Sequence, residues 1–179
     1  MCASKLATVR ESLRAARHRP LKRRRARLRA TAEPRLQPRA MSRGYLLVRV
    51  AGQHYGLPLA RVLEVGDLGE VLDVPRALAA VRGVTPLRGR LVPLIHLGAL
   101  LGERAPPPER GRAVVLVQLG AGDGMRQVAF EVDDADDVVR EAALPVLRGE
   151  SLPWAAAVAR RKGVLVPILD LDALGDRLT

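Results

Sequence analysis

One apolar phrase is written twice in this chain. "LVPLIHLGALLG" (91–102) returns as "LVPILDLDALGD" (165–176), and the match extends backwards without a gap. "VTPLRGRLVPLIHLGALLG" (84–102) lies over "VARRKGVLVPILDLDALGD" (158–176), with Val84 on Val158, Gly89 on Gly163 and Pro93 on Pro167. Two copies are too few for a solenoid, which needs about three repeats to bury its core. A duplicated unit, each phrase closing one of two similar halves, is what the repeat predicts.

The elements between the phrases follow the same order in both halves. "YLLVRVAGQHYGLPL" reads as strand, turn at Ala51-Gly52, strand, and "ARVLEVGDL" continues with Val62, Leu63 and Val65. "VPRALAAVRGV" is expected to hold one or two helical turns with Pro75 at their start. "RLVPLIHL" is a strand whose Pro93 implies an edge or a bulge, and "GALLGER" is a short helical cap. The proline run 105–111 is the expected boundary. A second round follows: "RAVVLVQL", a hairpin turn at "GAGDG", "MRQVAFEV", then "DDADDVVREA", read as a Val-bearing acidic turn, and "GVLVPILDL". Short strands about ten residues apart with Gly/Pro turns predict a mainly β fold with short helices, made of two five-stranded barrels. The first is expected at about 41–104 and the second at about 112–179.

Only four aromatic residues occur (Tyr45, Tyr55, Phe130 and Trp154), so the interior is built from Val, Leu, Ile and Ala. The net charge of +11 belongs to one place. Residues 1–40 carry thirteen Lys/Arg against Glu11 and Glu33, whereas 41–179 carry seventeen basic and seventeen acidic residues. The tail is therefore expected to be a disordered basic segment. It is read as a misplaced start with translation beginning at Met41, as an arm for nucleic acid or anionic lipid, or as a transit peptide. The lone Cys2 excludes an internal disulfide and a cysteine metal site. No apolar run is long enough to span a membrane as a helix, and no secretory signal opens the chain.

No catalytic constellation emerges. His18, His54 and His96 lack metal-ligand spacing, and His96, aligned with Asp170, is expected to be a satisfied structural residue. "GAGDG" lacks the Gly-Lys-Ser/Thr of a phosphate loop. "DDADD" (133–137) lacks the glycine and distal Glu of a calcium loop, and a solvated acidic turn is expected there. Ser151 departs from the nucleophile elbow. By elimination the folded part reads as a binding module, and no cofactor or metal is expected.

The residues resemble the CheW family of chemotaxis coupling proteins. "GQHYGLPLARVLEV" is similar to that family's opening hairpin and turn. "VRGVTPLRGRLVPLIHLGALLG" is similar to its most diagnostic stretch, with Gly83, Leu87, Arg88, Gly89 and Pro93 in place. "VVLVQLG…VAFEVDDADDVV" and "GVLVPILDLDALG" are similar to its later strands. The resemblance implies paired five-stranded SH3-like barrels around a shared apolar interface. It implies a cytoplasmic, non-catalytic adaptor at receptor arrays on the inner membrane, joining methyl-accepting chemoreceptor tips to a histidine kinase. The receptor-facing positions it assigns are Leu59, Val62, Glu64, Val65 and Arg88; it assigns none for the kinase. Core packing is the competing role for Val62 and Val65, and a turn-holding salt bridge for Arg88. Pro86, His96, "ARRKGV" and the short segment 140–157 depart from the family pattern and point towards an accessory or pilus-type version, or a degenerate copy with altered partners. The alternative function is nucleic-acid binding through the Arg-rich arm.

Overall fold

The computed structural model describes residues 44–103, 112–141, 143–145 and 152–178. The basic tail and the proline run lie outside these residues. Eleven strands are named in chain order: β1 Tyr45–Val50, β2 Gln53–Pro58, β3 Val62–Asp67, β4 Val81–Leu87, β5 Arg90–His96, β6 Ala113–Leu119, β7 Arg126–Val132, β8 Asp134–Val139, β9 Leu144–Pro145, β10 Ala155–Arg161 and β11 Val164–Leu169. Two short helices, α1 Leu97–Leu101 and α2 Leu171–Asp176, follow the two copies of the repeated phrase.

The duplication is legible in hydrogen bonds. Val84 pairs with Pro93 in the β4–β5 hairpin, and their counterparts Val158 and Pro167 pair in β10–β11. Both hairpins turn on two residues of positive φ, Arg88-Gly89 (50° and 74°) and Lys162-Gly163 (47° and 82°). Ala51-Gly52 (49° and 77°) joins β1 to β2 in the same way. This geometry matches the twist of the flanking strands, and glycine takes the second position without a Cβ penalty. The parallel junctions are also equivalent: Leu94 lies opposite Ala129, and Ile168 opposite Gly56. Pro93 sits on an interior strand, but β5 pairs with β7 only from Leu94 to His96, so the proline falls where β5 is locally an edge.

The strand order corrects the division at 41–104 and 112–179. One sheet runs β3-β6-β7-β5-β4 and the other β8-β1-β2-β11-β10-β9, so each draws strands from both halves. After its hairpin, β1–β2 sends β3 across to pair with β6, and β6–β7 sends β8 back to pair with β1. Each sheet has five long strands; the two-residue β9 extends the second. The sheet β3-β6-β7-β5-β4 is termed the central barrel, because it is contiguous in sequence, and the other the terminal barrel.

Alternation along the strands supplies three apolar layers. Leu46, Val48 and Val50 of β1 join Val115, Val117 and Leu119 of β6 and Phe130 of β7 in the layer between the barrels. The opposite faces fill the barrels: Tyr45, Leu47, Ala157, Ala159, Val166 and Ile168 in the terminal one, and Val92, Leu94, Val114 and Ala129 in the central one. Tyr55 and Trp154 meet edge-to-face at 5.6 Å, and the Tyr55 hydroxyl donates to Glu103 at 3.0 Å.

Two local expectations are corrected. No helix forms at "VPRALAAVRGV": Leu72 bridges Val84 and β4 already starts at Val81, which leaves room only for turns, one of them with Arg76 at φ 59°. The acidic run 133–137 is not a solvated turn. It enters β8, where buried Asp134 faces Arg49 at 3.4 Å and Asp137 binds Arg161 at 2.9 Å. Pairing along β1 overrides the low strand propensity of aspartate.

Candidate interaction site at the barrel seams

Each sheet curls until its outer long strands face one another, and an ion pair crosses each seam. In the central barrel, the approach to the seam begins at the 3-10 turn Leu59–Arg61 that carries the chain from β2 into β3. Arg61 fixes this turn. Its Nε donates to the Gln118 carbonyl at 3.0 Å, and its Nη2 donates to the Gly120 carbonyl and to Asp172 Oδ1 at 2.7 Å. Leu59 packs half-buried against the inter-barrel layer.

Of the five positions implied by the resemblance, Glu64 and Arg88 come together at the surface. Arg88 Nε lies 2.7 Å from Glu64 Oε2, joining β3 to the β4–β5 turn. The Arg88 side chain is 72% exposed, so the pair is available to a partner. Val62 and Val65 are placed otherwise. At 1% and 0% exposure they belong to the inter-barrel core, the packing role that competes with the receptor-facing one. The cause is a register shift between Val62 and Glu64 against β6, which lets residues three apart face the same side. Near the pair, exposed apolar surface comes from Leu91, 62% exposed at the start of β5, with Leu63 and Leu87 half-buried beside it in sequence.

The terminal barrel repeats the construction with different chemistry. Asp137 of β8 takes the place of Glu64, Lys162 that of Arg88, and exposed Leu165 that of Leu91. The crossing pair is Asp137 with Arg161, one residue before the turn. The hydrogen bond that Arg161 donates to Asp137 raises the Arg161 pKa, against the opposing effect of burial. A cavity of about 410 Å³ opens along this seam, lined by residues 137–141 and 160–162. Sequence reading passed over it, although aligning 137 with 64 and 162 with 88 would have located it.

His96 occupies the N-cap of α1 and makes no side-chain cap, whereas its counterpart Asp170 accepts from the Asp172 and Ala173 amides at 3.0 and 3.1 Å. His96 instead turns to Glu131, with Nδ1 at 3.6 Å from Oε2. The fully buried Glu131 carboxylate also meets Arg112 and, at 3.8 Å, Arg82. Paired from three sides, Glu131 completes one end of the central barrel as an internal charge cluster. No group of His, Cys, Asp and Glu able to hold a metal is found among the described residues, and none of their helices is long and apolar enough to cross a membrane.

A family model described as the CheW-like domain matches residues 44–178. Among solved structures, the crystal structure of scaffolding protein TtCheW from Thermoanaerobacter tengcongensis matches with a TM-score of 0.65 at 19% identity, over 75% of this chain and 92% of that one. No curated protein matches the sequence. At that identity the structural match carries the fold, which is two five-stranded barrels as the sequence predicts.

Proposed function

We propose that this chain, which belongs to the CheW-like domain family over residues 44–178, is a non-catalytic adaptor that couples methyl-accepting chemoreceptor tips to a chemotaxis-type histidine kinase. It acts in the cytoplasm, at receptor arrays. The receptor docks at the central seam. The observation that carries this assignment is the Glu64–Arg88 pair, which stands at the surface beside exposed Leu91. A receptor tip is an amphipathic helical hairpin, and such a partner needs an apolar anchor with charged guides at its rim. Leu59 and the buried Val62 and Val65 contribute from behind, by fixing the course of β3.

The test is binding of the full chain to receptor-tip fragments and to the regulatory domain of a chemotaxis-type histidine kinase. Arg88→Asn keeps a residue suited to positive φ while removing the guanidinium. Glu64→Arg and Arg88→Glu each reverse one charge, and the double variant restores an opposite pair. Receptor affinity is expected to fall about tenfold or more in each single variant, with partial recovery in the double, while kinase binding is unchanged. Equal receptor affinity in all variants would remove the central seam from the interface.

A further inference from the structure

The terminal seam differs in its chemistry from the central seam. Its cavity is lined by four cations, Arg140, Arg160, Arg161 and Lys162, against two carboxylates, Asp137 and Glu141. One carboxylate is already neutralised, because Arg161 Nη2 donates to Asp137 at 2.9 Å. The aligned central positions hold Asp67, Pro86, Leu87 and Arg88 in place of the four cations, with Glu64 and Leu68 in place of the carboxylates. The same backbone frame thus carries a surplus of two positive charges in one seam and none in the other. Closing a barrel does not require this charge.

Two donors beside the cavity have no hydrogen-bond acceptor among the described residues, the Tyr45 hydroxyl and Arg161 Nη1. Tyr45 is 2% exposed and pairs with the lining residue Val139 on the neighbouring strand. Its pKa is raised by burial and by Glu141, and lowered in part by Arg161. Buried polar groups ordinarily find partners, so two orphans at one wall leave room for an acceptor from outside. Guanidinium groups present paired donors that match a tetrahedral oxyanion, and arginine and lysine side chains grouped around one recess favour a multiply charged ligand.

We infer that the seam between β8 and β10 binds the phosphoryl group of a small molecule, held by Arg140, Arg160, Arg161 and Lys162, with Tyr45 as a further donor. A cavity of this volume falls within the range of small-ligand sites. The inference does not depend on the receptor assignment, because it uses the opposite barrel.

The test is a titration of the isotope-labelled full chain with inorganic pyrophosphate at constant ionic strength, read residue by residue by NMR. Saturable shifts are expected at the amides of 138–141 and 159–162. The exposed double variant Arg160→Ala/Lys162→Ala is expected to weaken binding about tenfold or more, and Tyr45→Phe about threefold. Vesicles containing phosphatidic acid form a separate arm that distinguishes a lipid headgroup from a free phosphate. Shifts confined to residues 1–40, an affinity unchanged in the double variant, or binding to vesicles alone would each overturn the assignment.

Discussion

The two barrels share a frame, a turn geometry and a junction register, yet they fill their interiors differently. At the parallel junction the terminal barrel has Gly56 beneath the ring of Tyr45, where the central barrel has Ala129 and Val114. A Cβ on Gly56 would stand 2.3 Å from Ile168 Cδ1 and 2.9 Å from the Tyr45 ring. One barrel uses a large ring over a bare backbone and the other two smaller side chains, so the same junction is filled with a different distribution of volume. The ends differ too: Glu131, ringed by Arg82, His96 and Arg112, has Pro58 as its counterpart. Duplication fixes the backbone, and the side chains then diverge in compensating groups.

The largest effect is expected where that divergence introduced charge. Glu131→Gln leaves two arginines facing a buried site without their carboxylate and should cost about 3–5 kcal/mol in denaturant unfolding. A cost below 1 kcal/mol would mean that the cluster is as dispensable as the proline in the other barrel. The next effect sharpens the volume comparison. Gly56→Ala should cost about 1–3 kcal/mol, and adding Tyr45→Val, which copies the central barrel, should recover part of it. Strict additivity of the two changes would break the equivalence of the junctions. The smallest effect concerns the turns. Arg88→Asn and Lys162→Asn should each alter stability by no more than about 0.5 kcal/mol, because both positions already have positive φ and both side chains are solvated. A larger loss at Arg88 alone would make its pair with Glu64 structural.

Much of this was legible because short-range chemistry and the repeat agreed. Ala51-Gly52 announced a hairpin, the aligned Gly89/Gly163 and Pro93/Pro167 announced the duplication, and the resemblance implied receptor-facing positions that include Glu64 and Arg88. What failed to show depended on contacts between distant segments. Nothing local in "VLEV" or "DDADDVV" says that β3 and β8 leave the half that encodes them. The bulge that buries both Val62 and Val65 arises only when β3 meets β6. The basic seam was overlooked for a related reason: Arg140 and Arg160–Lys162 read as ordinary surface charges until β8 and β10 bring them to one recess.

The exchange of β3 and β8 has a consequence for how such a molecule arises. A half-length ancestor has the counterpart of β6 in its own β1, so its third strand can close on that strand or cross to the β1 of a second copy. Crossing gives a symmetric homodimer of interlocked subunits, each lending a strand to the other. Gene fusion then needs only a linker, and residues 104–111 stand where it would run. Fusion also releases the two faces from identity, so that one surface can change its ligand while the other keeps its own.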